Sequence, residues 1–345
     1  MGLVEIFAEL GRRLARFGTD GSTRDVIRRA VAANPWFQAA GIEQAVRNIA
    51  ENMLPAGTLR EWLSLYPALP IAEPKEVLVV MAGNIPFVGF QDLLCVLAAG
   101  YRAIVKPSSK DAVLMSYIAG ELTDIAPGLP VSLYSGNETP GAVIAMGGDN
   151  AMTVLRERYA GVPVLLRGNR YSLAVVDGSE TPEDMAGLSR DILSYSGLGC
   201  RNVSLVFVPR NYNIRVLKNA MSAHAGTVNP KYLNNYRQAK ALLELNGMPF
   251  VDCGINVLVE EREFSAAVSC INYAFYDRLS EATDWVFEHD VETQCIAGNI
   301  DHPRAVGFGR TQQPALTDYP DGCDTMKFLA GIWSFFPYLF MPAPK

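Results

Sequence analysis

The chain has 345 residues, 49% of them hydrophobic and 19% charged, with 30 Lys and Arg against 36 Asp and Glu. That length and apolar share support one or two full cores and exclude a disordered chain, while the slightly acidic balance, without basic runs interleaved with aromatics, excludes nucleic acid as an expected partner. Glu5 and Glu9 interrupt the first apolar pattern, against a signal peptide, and Ile6 breaks the myristoylation pattern after Gly2, so a cytoplasmic protein is expected.

Leu3, Ile6, Phe7, Leu10, Leu14 and Phe17 recur at helical spacing, and further helical patterns begin at Thr23 and Ile42, which predicts an N-terminal helical cap over residues 1–70. At Glu76 the texture changes. Residues 77–81 form a continuous apolar strand, 83–86 a turn, 87–99 an apolar helix closed by Gly100, and 101–105 a second strand. This order is a βαβ unit, with a right-handed crossover and strands buried on both faces.

The alternation continues with a helix over 112–125, strands over 131–134 and 142–146, a helix from Asn150, and strands over 162–166 and 173–176. A helix over 181–195, with Glu183 in its first turn, then runs into Ser196-Gly-Leu-Gly-Cys200-Arg-Asn-Val-Ser204 and a strand over 205–208. The predicted class is α/β: a doubly wound, Rossmann-like domain over 71–176, a second one over 177–305, and a C-terminal segment over 306–345. The apolar run 328–341 is shorter than a membrane helix and contains Pro337, so it is expected to pack on the body or on a second subunit.

Ligands of open α/β sheets bind beyond the carboxyl ends of strands. The turn Ala82-Gly83-Asn84-Ile85-Pro86 lies at one such end, where Gly83 allows close backbone approach and Asn84 offers an amide donor, although Asn before a helix-initiating Pro is also ordinary turn chemistry. Lys106-Pro-Ser108-Ser109-Lys110 lies at another, where a helix N-terminus offers free N–H groups to an anion or a ribose. The six cysteines (Cys95, Cys200, Cys253, Cys270, Cys295, Cys323) show neither a C-x-x-C pair nor zinc spacing, so reduced thiols and no metal are expected. Cys200 stands apart from the others. It follows Gly197 and Gly199 in a helix-to-strand turn and precedes Arg201, a cation able to favour its thiolate.

With these three segments in this order, the chain resembles the acyl-CoA reductases of the bioluminescence (LuxC-like) type, a branch of the aldehyde dehydrogenase superfamily. Met81-Ala-Gly-Asn-Ile-Pro86 is similar to that superfamily's turn bearing the oxyanion asparagine, Ile104-Val-Lys-Pro-Ser108 to its adenosine-ribose site, and Ser196-Gly-Leu-Gly-Cys200 to its catalytic cysteine segment. The tail 306–329, with Phe308-Gly309 and Asp318-Tyr319-Pro320-Asp321-Gly322, also resembles the acyl-CoA reductase branch. Its acidic turn is read as a turn or subunit contact and not as a metal site.

The resemblance implies an aldehyde dehydrogenase-like fold in which 71–176 binds the cofactor and 177–305 carries the nucleophile. It implies catalysis by Cys200 and Asn84, and a nicotinamide cofactor held by Ala82, Gly83, Lys106, Ser108, Ser109, Gly147 and Gly148. The expected reaction is NAD(P)H-dependent reduction of an acyl thioester, such as a fatty acyl-CoA, to an aldehyde through an acyl-cysteine. A homodimer formed through C-terminal elements and an acyl-transferring partner protein are also expected. Apolar side chains near Phe87, Phe90 and Tyr195 would suit a lipid-like acyl group, as they would a core.

Two departures from the superfamily pattern shape this expectation. Hydrolytic members place a glutamate in the segment that here reads Val164-Leu-Leu-Arg-Gly-Asn-Arg170, and no carboxylate occurs there, which disfavours water attack on the acyl-enzyme. Ser109 stands where many NAD-preferring relatives carry a glutamate, so NADPH is expected, with NADH an alternative. Two rival readings remain at this stage: aldehyde oxidation with another carboxylate, such as Glu292, as base, and a non-catalytic nucleotide-binding subunit. His224 is read as structural or exposed.

Overall fold

The computed structural model describes residues 2–70, 75–224 and 226–332. The N-terminal helices are α1 (Leu3–Leu14), α2 (Gly21–Ala33), α3 (Ala39–Asn48) and α4 (Ala56–Ser64). Asp20 caps α2 by accepting from the Thr23 amide at 2.9 Å. Next come β1 (Glu76–Val80), α5 (Phe90–Ala98), β2 (Arg102–Lys106), α6 (Ala112–Ile125), β3 (Val131–Leu133), β4 (Ala142–Met146), α7 (Asp149–Arg158) and β5 (Val164–Arg167). Their strands form a five-stranded parallel sheet in the order β3-β2-β1-β4-β5.

The near-total apolarity of these strands has the expected cause, burial on both faces. Val77 and Val79 of β1 point into one core and Leu78 into another. The first of these cores also contains Leu10, Ile42, Leu59 and Trp62, so α1–α4 share it with α5 and α6 and cover one face of the sheet. The cap is therefore a layer of the first α/β unit and has no core of its own.

The second sheet is assembled from β6 (Tyr171–Val175), β7 (Val203–Pro209), β8 (Val251–Asp252), β9 (Val257–Glu260), β10 (Cys270–Tyr276), β11 (Thr293–Ala297) and β12 (Ala305–Val306). Its order is β12-β11-β6-β7-β10-β9-β8, parallel except for the β8–β9 pair. Helices α8 (Pro182–Leu193) and α9 (Arg215–Ser222) cover one face and α11 (Leu279–Glu288) the other, while α10 (Pro230–Leu245) contacts β9. A capping box between Thr181 and Asp184 starts α8.

One expected boundary is corrected here. The strand read over 173–176 closes the first domain in the sequence reading, yet β6 pairs with β7 and β11 and opens the second sheet. Periodicity cannot show which sheet a buried parallel strand joins, because its apolar run is the same in either.

After β12 the chain returns across the first unit and ends its described part in α12 (Thr325–Gly331). Leu316, Tyr319, Met326, Leu329 and Ile332 are buried in the first core. The Trp62 indole donates to the Tyr319 hydroxyl at 2.7 Å, Gln91 Nε2 to the Leu316 carbonyl at 3.0 Å and the Tyr101 hydroxyl to the Leu329 carbonyl at 2.8 Å. This part of the segment read as an oligomerisation element is bound within the chain, and residues 333–345 of it lie outside the described residues. Among the described residues no helix is long and apolar enough to cross a membrane.

Candidate active site

The predicted site residues lie just beyond the carboxyl ends of β1, β2 and β4 and in the segment before β7, and a hydrogen bond joins the β1 turn to that segment. Cys200 lies three residues before β7, and its carbonyl accepts from Ser172 Oγ, at the start of β6, at 2.9 Å. Asn84, four residues beyond β1, donates its side-chain amide to the Leu198 carbonyl. The strand-end turn of the first sheet is thereby latched to the cysteine segment of the second.

The cysteine segment owes its shape to a strained backbone and to Asn202, to which the sequence reading gave no role. Tyr195, Ser196 and Gly197 all adopt left-handed backbone, with φ of 50°, 58° and 68°. For two non-glycine residues this is a costly conformation that the surroundings must impose. Asn202 supplies much of that constraint: its Oδ1 accepts from the Gly199 amide at 2.8 Å, and its Nδ2 donates to the carbonyls of Asp191, Ile192 and Ser194 at 3.0, 3.2 and 2.9 Å. A Cβ at Gly199 would lie 3.0 Å from Asn202 Oδ1, so the glycine is needed for this clasp.

Asp191, buried near the end of α8, accepts from the Gly309 amide at 2.6 Å and from the Thr311 amide and hydroxyl at 3.1 and 2.8 Å. Burial pushes its carboxyl up from the ordinary range, opposed by these hydrogen bonds. The Asn84 turn is held in a comparable way. Buried Asp111 accepts from the Phe87 amide at 3.0 Å, and Phe87 itself has φ 58°.

Cys200 is half-buried. Burial pushes its pKa up; Arg201 and, more weakly, Arg167 pull it down, while Asp321 adds to the rise. Arg201 spends its guanidinium on the carbonyls of Thr311 (3.5 Å) and Asp318 (3.2 Å), which ties the cysteine turn to the C-terminal return.

Where hydrolytic relatives would carry a glutamate, β5 ends in Arg167, 1% exposed. Its Nη1 donates to both carboxylate oxygens of Asp92 at 2.6 Å, and its Nη2 to Thr325 Oγ1 at 2.6 Å. The side chain thus locks β5, α5 and α12 together. Glu292, the substitute base considered above, is exposed.

The cofactor-side residues occupy the crevice on either side of β1, where the strand order reverses. Lys106 is exposed at the end of β2, its ammonium 5.7 Å from the Tyr134 ring centre, and forms no carboxylate pair among the described residues. Ser108 is half-buried and Ser109 exposed. Gly148 starts α7 without a side-chain cap, and a Cβ added there would meet nothing within 4 Å, which leaves backbone N–H groups open to a ligand. Gly147 lies beside it and Ala82 is half-buried. This open end and the unpaired cation fit a dinucleotide. Gly83 has a different reason to be glycine: a Cβ would lie 2.6 Å from Ser108 Cβ, so it lets the two strand-end loops touch.

Two further groups fall elsewhere. Phe87 and Phe90 are buried in the first core and Tyr195 packs against it. His224 bonds Ser189 Oγ at 2.9 Å beside a cavity of about 160 Å³ that Cys200 does not line. Among the described residues no group of His, Cys, Asp and Glu is arranged to hold a metal ion.

The acyl-CoA reductase (LuxC) family matches residues 29–240. A long-chain acyl-protein thioester reductase of Aliivibrio fischeri is 26% identical over 168 residues, covering 43% of this chain but only 35% of that relative. Among solved structures, aldehyde dehydrogenase 21 of Physcomitrella patens, in complex with succinate, superposes with a TM-score of 0.67 at 12% identity over 96% of this chain and 83% of the other. An acetylating aldehyde dehydrogenase of Geobacillus thermoglucosidasius gives 0.60 at 12% identity over 91% and 84%. A mutant of aldehyde dehydrogenase C of Pseudomonas syringae, complexed with NAD+ and octanal, gives 0.59 at 14% identity over 88% and 71%. The fold is that of the aldehyde dehydrogenases, and the family match runs from within α2 through the first sheet and the cysteine segment into α10. The chain belongs to the acyl-CoA reductase (LuxC) family.

Proposed function

We propose that the protein reduces an acyl thioester to an aldehyde through a covalent acyl-Cys200 intermediate. The observation that supports this most is the pairing of two features at the sheet junction. Asn84 is latched to the Leu198 carbonyl, two residues before Cys200, and the segment that would supply a hydrolytic base instead carries Arg167, turned into a buried pair with Asp92. Without a carboxylate on that segment, activation of water is disfavoured and exchange of the acyl group between thiols is favoured.

Cys200 Sγ attacks the thioester carbonyl, and the resulting oxyanion takes hydrogen bonds from the Asn84 amide and the Cys200 backbone N–H. Each such donor is commonly worth about 3 kcal/mol of barrier. The Asn84 amide nitrogen carries two protons, so donation to Leu198 leaves one for substrate. Collapse expels the thiol and leaves acyl-Cys200.

When bound, the nicotinamide supplies the hydride that converts this acyl group to the aldehyde. Lys106, Ser108 and Ser109 hold the adenosine ribose, Ala82 and Gly83 shape the strand-end wall, and Gly147 and Gly148 border the nicotinamide half. The 106–110 segment, Lys-Pro-Ser-Ser-Lys, carries no acidic side chain to oppose a 2′-phosphate. This favours NADPH over NADH. The acyl donor is an acyl-CoA or an acyl group delivered by a partner protein, and the working form is a homodimer.

Incubating the protein with an acyl-CoA in the absence of cofactor tests the reading. Mass spectrometry is expected to find the acyl mass on the Cys200 peptide with one equivalent of CoA released, and subsequent NADPH to discharge it as aldehyde. Acid as the sole product, or no mass gain at Cys200, would contradict it.

A further inference from the structure

The cavity beside His224 has a volume of about 160 Å³ and takes no part in the reaction proposed above, since Cys200 does not line it. A single water needs only about 10–15 Å³ of such space, so it admits a molecule of several heavy atoms. Its walls come from three places: Ser194 and Ser196 of the turn that precedes Cys200, Arg190 at the end of α8, and Tyr232 in the first turn of α10.

Two of these side chains are buried polar groups without a partner. Tyr232 is 1% exposed and Ser196 5%, and neither hydroxyl makes a hydrogen bond among the described residues. Such groups are few in folded proteins, because each gives up its bonds to water and gains nothing in return. The Tyr232 ring lies against Gly197, where an added Cβ would be 3.8 Å from Cε2, and Ser196 is held in its left-handed conformation one residue earlier. The two hydroxyls thus come from separate elements that meet at this cavity.

The charge around them has one sign. Arg190 makes neither a side-chain hydrogen bond nor an ion pair among the described residues, and no Asp or Glu lines the cavity. Asp191, the adjacent carboxylate, is committed to Gly309 and Thr311. The start of α10 adds the positive end of a helix of 16 residues. Asn229 fixes it in place: its Oδ1 accepts from the Lys231 amide at 2.7 Å, and its Nδ2 donates to the carbonyls of Pro35 and Trp36 at 2.9 and 3.2 Å. Burial, with a smaller push from Arg190, holds the His224 pKa below its ordinary value, so its ring is neutral and Arg190 carries the fixed charge.

We propose that this cavity binds a small oxyanion, a carboxylate or a phosphate, through the Arg190 guanidinium and the Ser196 and Tyr232 hydroxyls. A guanidinium presents its N–H groups as a fork that matches two oxygens of such a group, and each hydroxyl has a proton to donate to it. The inference does not depend on the thioester reading, and its test involves no acyl transfer.

The test follows thermal unfolding and amide hydrogen exchange of the full chain while sodium phosphate or sodium acetate replaces sodium chloride at constant ionic strength. Wild type is compared with Arg190→Gln and Tyr232→Phe. In chloride alone, Tyr232→Phe is expected to melt at or above the wild-type temperature, because it removes only an unpaired hydroxyl. At least one of the two anions is expected to raise the wild-type melting temperature along a saturable curve and to slow exchange over residues 194–199 and at the start of α10. The midpoint of that curve is expected to rise about tenfold or more in Arg190→Gln and by a smaller factor in Tyr232→Phe. Response to phosphate alone or to acetate alone identifies the class of anion. Phosphate also stabilises proteins without binding them, so a rise that is unsaturable and equal in all three proteins would overturn the proposal. So would the absence of any response to either anion, or a Tyr232→Phe variant that melts well below wild type in chloride, which would show that the hydroxyl already has a partner.

Discussion

Arg167 shows how a single side chain can close one chemistry while holding the fold. It is buried with Asp92 and Thr325, and its Nε has no partner among the described residues. Such a pair contributes little net stability compared with apolar residues of the same size, but breaking it strands a charge. Arg167→Met is therefore expected to lower unfolding free energy by about 3–5 kcal/mol, and adding Asp92→Leu to recover most of that loss, both measured by urea unfolding. At the nucleophile the pKa direction sets a pH dependence. Burial raises the Cys200 pKa, so the reactive thiolate is scarce at neutral pH and accumulates only above the ordinary thiol range. Acylation by an acyl-CoA is expected to climb with pH past that range in a stopped-flow series, and a plateau below it would contradict the burial account.

The return after β12 is the element that completes the site, and its fit depends on α8. Gly187 lies where a Cβ would stand 2.8 Å from the Phe308 carbonyl carbon and 2.9 Å from the Gly309 nitrogen. Alanine would gain about 1 kcal/mol of helix propensity at that position, yet these are backbone atoms that cannot rotate aside, and overpacking costs about 1–3 kcal/mol. Gly187→Ala is expected to lower the melting temperature and to speed proteolytic cutting between residues 307 and 313. A variant as stable and as resistant as wild type would show that the return does not dock there.

The legibility of the sequence follows the same division between local and distant. The helix over 112–125 and the strand over 142–146 coincide with α6 and β4, because periodicity and terminal residues are local signals. The Cys200, Asn84 and Lys106 segments were readable as strand-end or turn chemistry and do come to one junction. Asp92 and Asp191 were not read, although a lone carboxylate on an apolar helix face is itself a signal of a buried partner.

At the scale of the molecule, the C-terminal return joins the two α/β units: α12 packs on α5, while Arg201 and Asp191 of the second unit hold the same return. The crevice between the sheets is thus bridged by the C-terminal segment as well as by the Asn84–Leu198 latch. Cofactor and thioester must meet at this junction for the proposed reaction to run. The most direct test is oxidation of NADPH and of NADH with a panel of acyl-CoA esters, comparing wild type with Cys200→Ala and Asn84→Ala. The account predicts turnover releasing CoA and aldehyde, faster with NADPH, abolished in Cys200→Ala and reduced on the order of 10²–10³ in kcat in Asn84→Ala. Turnover that survives Cys200→Ala, or nucleotide binding without turnover of any acyl thioester, would contradict it.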